Sequence, residues 1–240
     1  MYITKEGKNM KELFKNKSFT LLFTGSLVSE MGNVLFGFVA GLYVQDITGG
    51  NSIYLALFMA LGAAVRIAVS PLAGVLVDRW DKVKIIYLTD FLRGLIFLGV
   101  AYIFFGNVSN QEAINILLVV TVLSGVIGAF FGPAVTSAVP EIVGMDQVQA
   151  ANGATSIIQS VTMILGVILG AAAFSLFKFE VALLINGISF MLSGFSEMFI
   201  KSKFKEDVPH EENKTMMGDF KVGFSYLLKK EGLLTLMIFS

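Results

Sequence analysis

The stretch GVLVDRWDKVK, residues 74–84, places five charged side chains between two long apolar runs. The run before it covers residues 53–77 and the run after it covers residues 85–106. Each run has the roughly 20 residues that an α-helix needs to cross the hydrocarbon core of a bilayer. The charges therefore predict a short aqueous loop that joins two membrane-spanning helices.

The composition of the whole chain is that of a membrane protein. Of its 240 residues, 55% are hydrophobic and only 15% are charged, whereas a soluble domain carries about 25% charged residues. The formal net charge is zero. We expect no nucleic-acid partner, because binding to a polyanion requires a basic face.

Cysteine is absent and His210 is the only histidine. Disulfides, thiol catalysis and zinc sites made from cysteine are thereby excluded. A metal site or a catalytic triad that uses histidine would have to start from this one residue. We therefore expect no metal, no cofactor and no enzymatic activity.

Six apolar runs are expected to cross the membrane as helices. They cover residues 19–44, 53–77, 85–106, 113–138, 148–176 and 180–200. Charged or turn-forming residues separate them, such as QDITGGNS after the first run and PEIVGMDQ after the fourth. The fold class predicted is all-α, with a six-helix transmembrane domain over residues 19–200.

Three further segments lie outside this domain. Residues 1–18 are rich in lysine, and residues 201–231 combine a polar linker with an amphipathic helix whose apolar side chains recur at helical spacing. Residues 232–240 begin a seventh apolar run, which is too short to cross a bilayer. We expect the chain to stop inside a seventh span.

The positions of the basic residues predict which side of the membrane each loop faces. Fifteen of the 18 lysine and arginine residues lie in residues 1–18, in the 78–84 loop or after residue 200. The loops of the opposite side contain only Lys178. Because basic loops stay in the cytoplasm, we expect a multi-pass protein of a bacterial plasma membrane with a cytoplasmic N-terminus.

Two charged residues fall at matched depth in neighbouring spans. Glu30 and Arg66 both lie about 11 residues from the basic side, or roughly 17 Å at 1.5 Å per residue. A charge at that depth costs about 2.5–3.5 kcal/mol on insertion scales. Three interpretations remain open: a substrate or proton site, a structural ion pair between two helices, and side chains that face lipid.

Spans three and six carry further charges. Asp90 and Arg93 are three residues apart on one helical face, so we expect them to pair with each other or with groups at the loop ends. The pair serves either structure or proton coupling. Glu197 lies close to the basic end of its span, and we expect it to be solvated.

Span four is rich in residues that break or loosen helices. It contains Gly125, Gly128, Gly132 and Pro133. Glycine and proline are tolerated in membrane helices where neighbouring groups satisfy the backbone. Gly132 and Pro133 are therefore candidates for a hinge or for close helix packing, and both interpretations remain open.

The 74–84 stretch resembles the signature loop of the major facilitator superfamily, roughly G-x-x-x-D-R-x-G-R-[RK]. Gly74, Asp78 and Arg79 match that pattern. DRWDKVK, which adds Lys82, is even more similar to the D-R-[FW]-[DN]-[RK]-x-[KR] loop of the macrolide-efflux-like branch. The resemblance implies a gating role, in which Gly74 lets another helix pack closely and Asp78 faces a helix N-terminus of another half. The simpler interpretation is a basic, helix-ending turn.

Other stretches resemble the same branch in the same order. They are SPLAGVLVDRW with LTDFLRG, FGPAVTSAVPEIV with QAANG, and GFSYLLKKEGLLTL. In span five, LGVILGAAAF is similar to the antiporter motif G-x-x-x-G-P. Gly166 and Gly170 occupy its glycine positions, and Ala171 stands at the proline position.

The resemblance implies that the six helices form the N-terminal half of a twelve-helix transporter, itself a 3+3 inverted repeat. It further implies proton-driven efflux of amphipathic, drug-like small molecules. The expected partners are the lipid bilayer, the substrate, protons, and a second six-helix half or a second copy of this chain. Export of a siderophore or another metabolite is an alternative, as is a membrane fragment that does not transport.

Overall fold

The computed structural model of the chain describes residues 10–203, which are almost entirely helical and contain no strand. Six of their helices are long and apolar enough to cross a membrane. These are α1 (Lys17–Ile47), α2 (Ser52–Arg79), α3 (Lys82–Phe104), α4 (Asn110–Val143), α5 (Val148–Leu176) and α6 (Phe179–Glu197). The predicted all-α, six-helix fold is confirmed. The amphipathic linker helix and the seventh span lie outside the described residues.

Polar side chains in the loops determine where the first four helices begin. Asn16, Asn51, Asp81 and Ser109 each accept a hydrogen bond from a backbone N–H in the first turn of the helix that follows. Such caps satisfy amide groups that have no partner within the helix. Ser109 and Glu112 also form a reciprocal capping box.

Helix α4 continues beyond its predicted end at residue 138. Pro140, in the PEIVGMDQ segment expected to follow the span, lies within the last turn, and the helix ends at Val143. A proline removes only one backbone donor, and burial of Ile142 and Val143 favours the extra turn. Gly144 then ends the helix at a φ of 78°, a conformation that glycine adopts without steric cost. Helix α6 differs in the other direction and ends three residues before residue 200.

The helices pack mainly in pairs, with α3 against α6, α1 against α5 and α2 against α4. Helix α1 also contacts α6, and α3 contacts α4. Two apolar clusters fill the interior at different depths. Along α3, Ile86 belongs to the first cluster and Phe97 to the second. The buried polar residues Asp90 and Arg93 lie between them, so a polar layer separates the two apolar clusters.

The exposed faces of the helices differ in polarity. On α3 and α6 the exposed side chains are large and apolar, for example Leu88 and Leu92, as expected for contact with lipid. Helix α5 also exposes large apolar side chains, such as Met163. In addition it exposes Asn152, Ser156 and Ser160 at intervals of four residues, which places these three on one face. That polar face suits water or another protein surface better than lipid.

Two glycines of α5 allow close contact with α1. A Cβ atom added at Gly166 would lie 2.8 Å from Cβ of Val34, and one added at Gly170 would lie 3.0 Å from the ring of Phe38. Small residues let membrane helices approach closely, because helix association in lipid depends on packing. Both glycines of the sequence motif therefore pack α5 against α1.

We expect Gly166→Val to destabilise the bundle, with Gly153→Val as its matched control in the same helix. The first substitution overlaps the β-branched side chain of Val34, whereas nothing lies within 4 Å of a Cβ added at Gly153. Overpacking of this kind costs about 1–3 kcal/mol. The measurement is the temperature at which half of the purified protein still elutes as a monodisperse species. Equal shifts for both variants would refute the packing role.

Candidate functional site

A cavity of about 420 Å³ lies between α1, α2, α3 and α4. Its wall is partly polar and partly apolar. The charged and polar lining residues are Glu30, Asn33, Arg66, Arg93, Thr121 and Ser124, and the larger apolar ones are Phe36, Phe58 and Met59. A mixed wall of this kind is typical of sites for small molecules that have an apolar body and a polar group.

Glu30 and Arg66, selected from the sequence for their matched depth, both line this cavity. Glu30 is half-buried and Arg66 is exposed. Between residues 10 and 203, no ion pair or hydrogen bond joins their side chains. The two charges therefore face a shared space and do not lock α1 to α2 by direct contact.

Arg93 forms the deepest charged part of the wall and is only 2% exposed. Its Nη1 atom lies 3.4 Å from Oδ1 of Asp90, so the expected pair within α3 forms. The guanidinium also stands over the rings of Phe131 and Phe190, with centroids at 5.0 and 5.6 Å. Aromatic faces attract a cation, and together these contacts fix the position of Arg93.

The glycines of α4 lie beside the two guanidinium groups. A Cβ atom added at Gly128 would lie 3.3 Å from Nη2 of Arg93, and one added at Gly132 would lie 3.4 Å from Nη2 of Arg66. These glycines leave room for the arginine side chains at the cavity wall. The hinge interpretation of Gly132 and Pro133 remains a prediction.

Asp90 lies behind Arg93 and is fully buried. Ser29 of α1 donates a hydrogen bond to Oδ2 of Asp90. The hydroxyl oxygens of Ser29 and Ser193 are 3.1 Å apart, and Ser193 also lies 3.1 Å from the carbonyl oxygen of Gly25. This network joins α1, α3 and α6 at one depth.

The prediction that Glu197 is solvated is wrong, because its side chain is 0% exposed. A Cβ atom added at Gly25 would overlap the Glu197 carboxyl group. The chain after α6 stays against the protein, since Ile200 is buried and the backbone N–H of Lys201 donates to Ser18 of α1 at 3.0 Å. Glu197 thus ends its helix inside the protein, one turn before the chain reaches water.

A pattern of small and polar residues could have predicted this burial. On α6, Asn186, Ser193 and Glu197 recur at helical spacing and are all buried. On α1, Gly25 and Ser29 lie on the face that meets them. Proximity to the end of the span suggested solvation, but the helical face on which Glu197 lies was the better indicator.

The 78–84 loop, at the end of the bundle that also carries residues 10–18, is joined to α4. Lys82 forms an ion pair with Glu141, with Nζ 3.1 Å from Oε1, and its Nζ lies 3.4 Å from the carbonyl oxygen of Asp78. Asp78 is exposed, Arg79 is half-buried, and a Cβ atom added at Gly74 would meet nothing within 4 Å. The gating role of these residues remains a prediction.

Comparison with known proteins gives the same picture of the chain. The model of the Major Facilitator Superfamily matches residues 91–240. The chain is 26% identical over 237 residues to the uncharacterized MFS-type transporter YkuC of Bacillus subtilis. The aligned region covers 94% of this chain and 53% of YkuC. No solved structure matches the chain significantly.

Two further relatives are named for export. The putative bacilysin exporter BacE of Bacillus subtilis is 27% identical over 218 residues, covering 89% of this chain and 51% of BacE. Macrolide efflux protein A of Streptococcus pyogenes is 20% identical over 223 residues, covering 92% of this chain and 53% of that protein. The chain thus spans about half the length of the curated relatives it matches.

Proposed function

This chain belongs to the major facilitator superfamily of transporters, and we propose that it forms one six-helix half of a proton-driven exporter of amphipathic small molecules. The observation that carries the proposal is the cavity in which Glu30, Arg66 and Arg93 face the same space. Relatives named for macrolide efflux and for bacilysin export support the direction of transport. Because one relative is named as a putative bacilysin exporter, a metabolite is the second candidate cargo.

The cavity wall offers two different kinds of contact to a cargo molecule. Phe36, Phe58 and Met59 supply apolar surface, while Glu30 and Arg66 supply opposite charges. A charged group of the cargo would pair with one of these side chains, away from bulk water, where such a pair is stronger. The apolar body of the cargo would then lie against the aromatic rings.

Protonation of Glu30 would link cargo binding to the proton gradient. Glu30 is half-buried at the cavity wall, so water in the cavity reaches it. Adding a proton removes its negative charge and changes the affinity of the cavity for a charged cargo.

A second six-helix half is required for alternating access, because one half rocks against the other around a central site. The polar face of α5, with Asn152 and Ser156, suits the water path between two such halves. The open space at Gly74 suits a helix of the second half. That half is either part of the same polypeptide or a second copy of this chain.

We expect cells that express residues 1–240 alone to show no efflux of a fluorescent amphipathic dye. Co-expression with a second six-helix half should restore efflux, and a protonophore should stop it. Bacilysin and a macrolide, added as competitors, would identify the preferred cargo class. Strong, gradient-dependent efflux from this chain alone would refute the need for a distinct second half and indicate a dimer of two copies.

The orientation of the chain is the second part of the proposal. The distribution of basic residues supports a cytoplasmic 78–84 loop and a 105–109 loop on the outside. Because the sequence contains no cysteine, Lys84→Cys and Asn107→Cys each give a single labelling site in an exposed loop or helix end. In intact cells, an impermeant maleimide should label only Asn107→Cys. External labelling of Lys84→Cys would invert the assignment.

A further inference from the structure

Three ionisable side chains are enclosed where α1, α3 and α6 meet. Asp90 and Glu197 are 0% exposed and Arg93 is 2% exposed. If all three were ionised, two negative charges would share one positive charge without water. An uncompensated buried charge is strongly destabilising, so one carboxyl group in such a set is expected to carry a proton.

The hydrogen bonds identify where that proton lies. Oδ1 of Asp90 faces Nη1 of Arg93, and Oδ2 accepts from Ser29. Both carboxyl oxygens of Glu197 are buried and find no donor among the described residues. An ionised carboxylate can only accept hydrogen bonds, and leaving buried acceptors unsatisfied is costly.

The hydroxyl group one turn before Glu197 on α6 has other partners. The hydroxyl group of Ser193 lies within hydrogen-bond distance of Ser29 and of the Gly25 carbonyl oxygen. Nε of Arg93 makes no hydrogen bond in the described part of the chain. Ser193, one turn before Glu197 on α6, lies 3.1 Å from Ser29, which donates to Asp90. The two buried carboxyl groups therefore belong to the same junction of α1, α3 and α6, and each acts electrostatically on the other. A hydrogen atom between these two carboxyl groups would supply the donor that Glu197 lacks.

We propose that Asp90 and Glu197 hold one shared proton and form a buried proton site behind the cavity. Arg93 connects this site to the cavity, because it lines the cavity wall and also contacts Asp90. The other charged groups that act on Arg93 are Glu30 of α1 and Arg66 of α2. The residues of α4 that contact Arg93, Gly128 and Phe131, are uncharged.

Release of the shared proton would change the cavity through Arg93. The site would then hold two carboxylates, and both would attract the single guanidinium away from the cavity wall. The occupancy of the site and the charge presented to the cargo would change together. The role of the shared proton in transport rests on the proposed function, whereas the presence of the proton does not.

Infrared spectroscopy of the purified 240-residue chain tests the proton directly, because a protonated carboxyl group has a carbonyl stretch distinct from that of a carboxylate. At neutral pH, wild-type protein should show this band and Glu197→Gln should lack it. The amide of the variant can still donate to Asp90, so the variant should fold. Glu112→Gln, at an exposed capping position, is the control and should keep the band.

A second variant, Asp90→Asn, tests the proton site if the Glu197→Gln protein is not obtained in folded form. In Asp90→Asn, Glu197 becomes the only counter-ion of Arg93 in this cluster, so it should ionise and the band should disappear. Identical carboxyl bands in wild type and in either variant would overturn the proton site.

Efflux by the chain together with its second half tests the coupling. Glu197→Gln should weaken the dependence of the efflux rate on pH, leaving only the part that Glu30 contributes, while the protein still binds the dye. If no form of the protein moves the dye, the proposed function fails and the infrared result still decides the proton site. Unchanged pH dependence in Glu197→Gln, with the infrared band lost, would overturn the coupling role.

Discussion

Arg93→Gln is expected to lower the amount of folded protein in the membrane more than any other single change discussed above. The substitution removes the cation that lies 3.4 Å from the fully buried Asp90. Breaking a buried ion pair by removing one partner typically costs about 3–5 kcal/mol. The variant also loses the contacts of the guanidinium with Phe131 and Phe190. Membrane abundance and the unfolding midpoint of the purified protein measure the effect.

The double variant Asp90→Asn with Arg93→Gln should recover most of that loss, because a neutral pair needs no counter-charge. Lys84→Gln is the matched control: it removes a cation from the same helix, but at an exposed position near the helix start. We expect it to change stability by less than about 0.5 kcal/mol, as surface substitutions usually do. A double variant as unstable as Arg93→Gln would show that packing and not charge decides the effect.

Glu30→Gln and Arg66→Gln should each reduce efflux strongly while the protein remains at normal abundance. Both side chains face the cavity and form no ion pair with each other in the described part of the chain. Removing either one therefore breaks no direct ion pair, and the buried Arg93, on which both charges act, keeps its contact with Asp90. A hydrogen bond to a charged group contributes about 1.5–3 kcal/mol, so the loss of a cargo contact should lower efflux by about 10- to 100-fold.

The measurement is dye efflux by the chain together with its second half, normalised to membrane abundance. Glu112→Gln, an exposed carboxyl change on α4, should leave efflux unchanged. A double-mutant cycle then separates two roles: independent contacts with the cargo give additive losses, and direct coupling gives non-additive ones. If abundance falls in step with efflux for both single variants, the residues have a structural role and the cargo site lies elsewhere.

Glu30 and Arg66, for which an ion pair was one of three open interpretations, illustrate a limit of inference from sequence. Their common depth follows from residue number and helical rise, and the structure does place both at one cavity. Direct contact depends in addition on the rotation of each helix and on the room between them. Neither quantity is encoded in the spacing of residues along one helix.

Glu197 shows the same limit of inference from sequence, here for burial and not for contact. Its position near the end of a span is visible in the sequence, but its burial results from the close approach of α1 at Gly25. The proton site proposed for Asp90 and Glu197 therefore required the packing of α3 against α6. In the sequence, the two carboxyl groups are separated by more than 100 residues.

The sequence by itself determined the six membrane-spanning helices, because long apolar runs between charged loops have no other stable form in a bilayer, where backbone groups must be satisfied within the helix. It also determined the family, through the order of motifs around the 78–84 loop. The tertiary structure decided which charges are enclosed and which face the cavity. Helix rotation and close contacts at glycines such as Gly25 and Gly166 set the distances between side chains, and those distances fix the electrostatic energies.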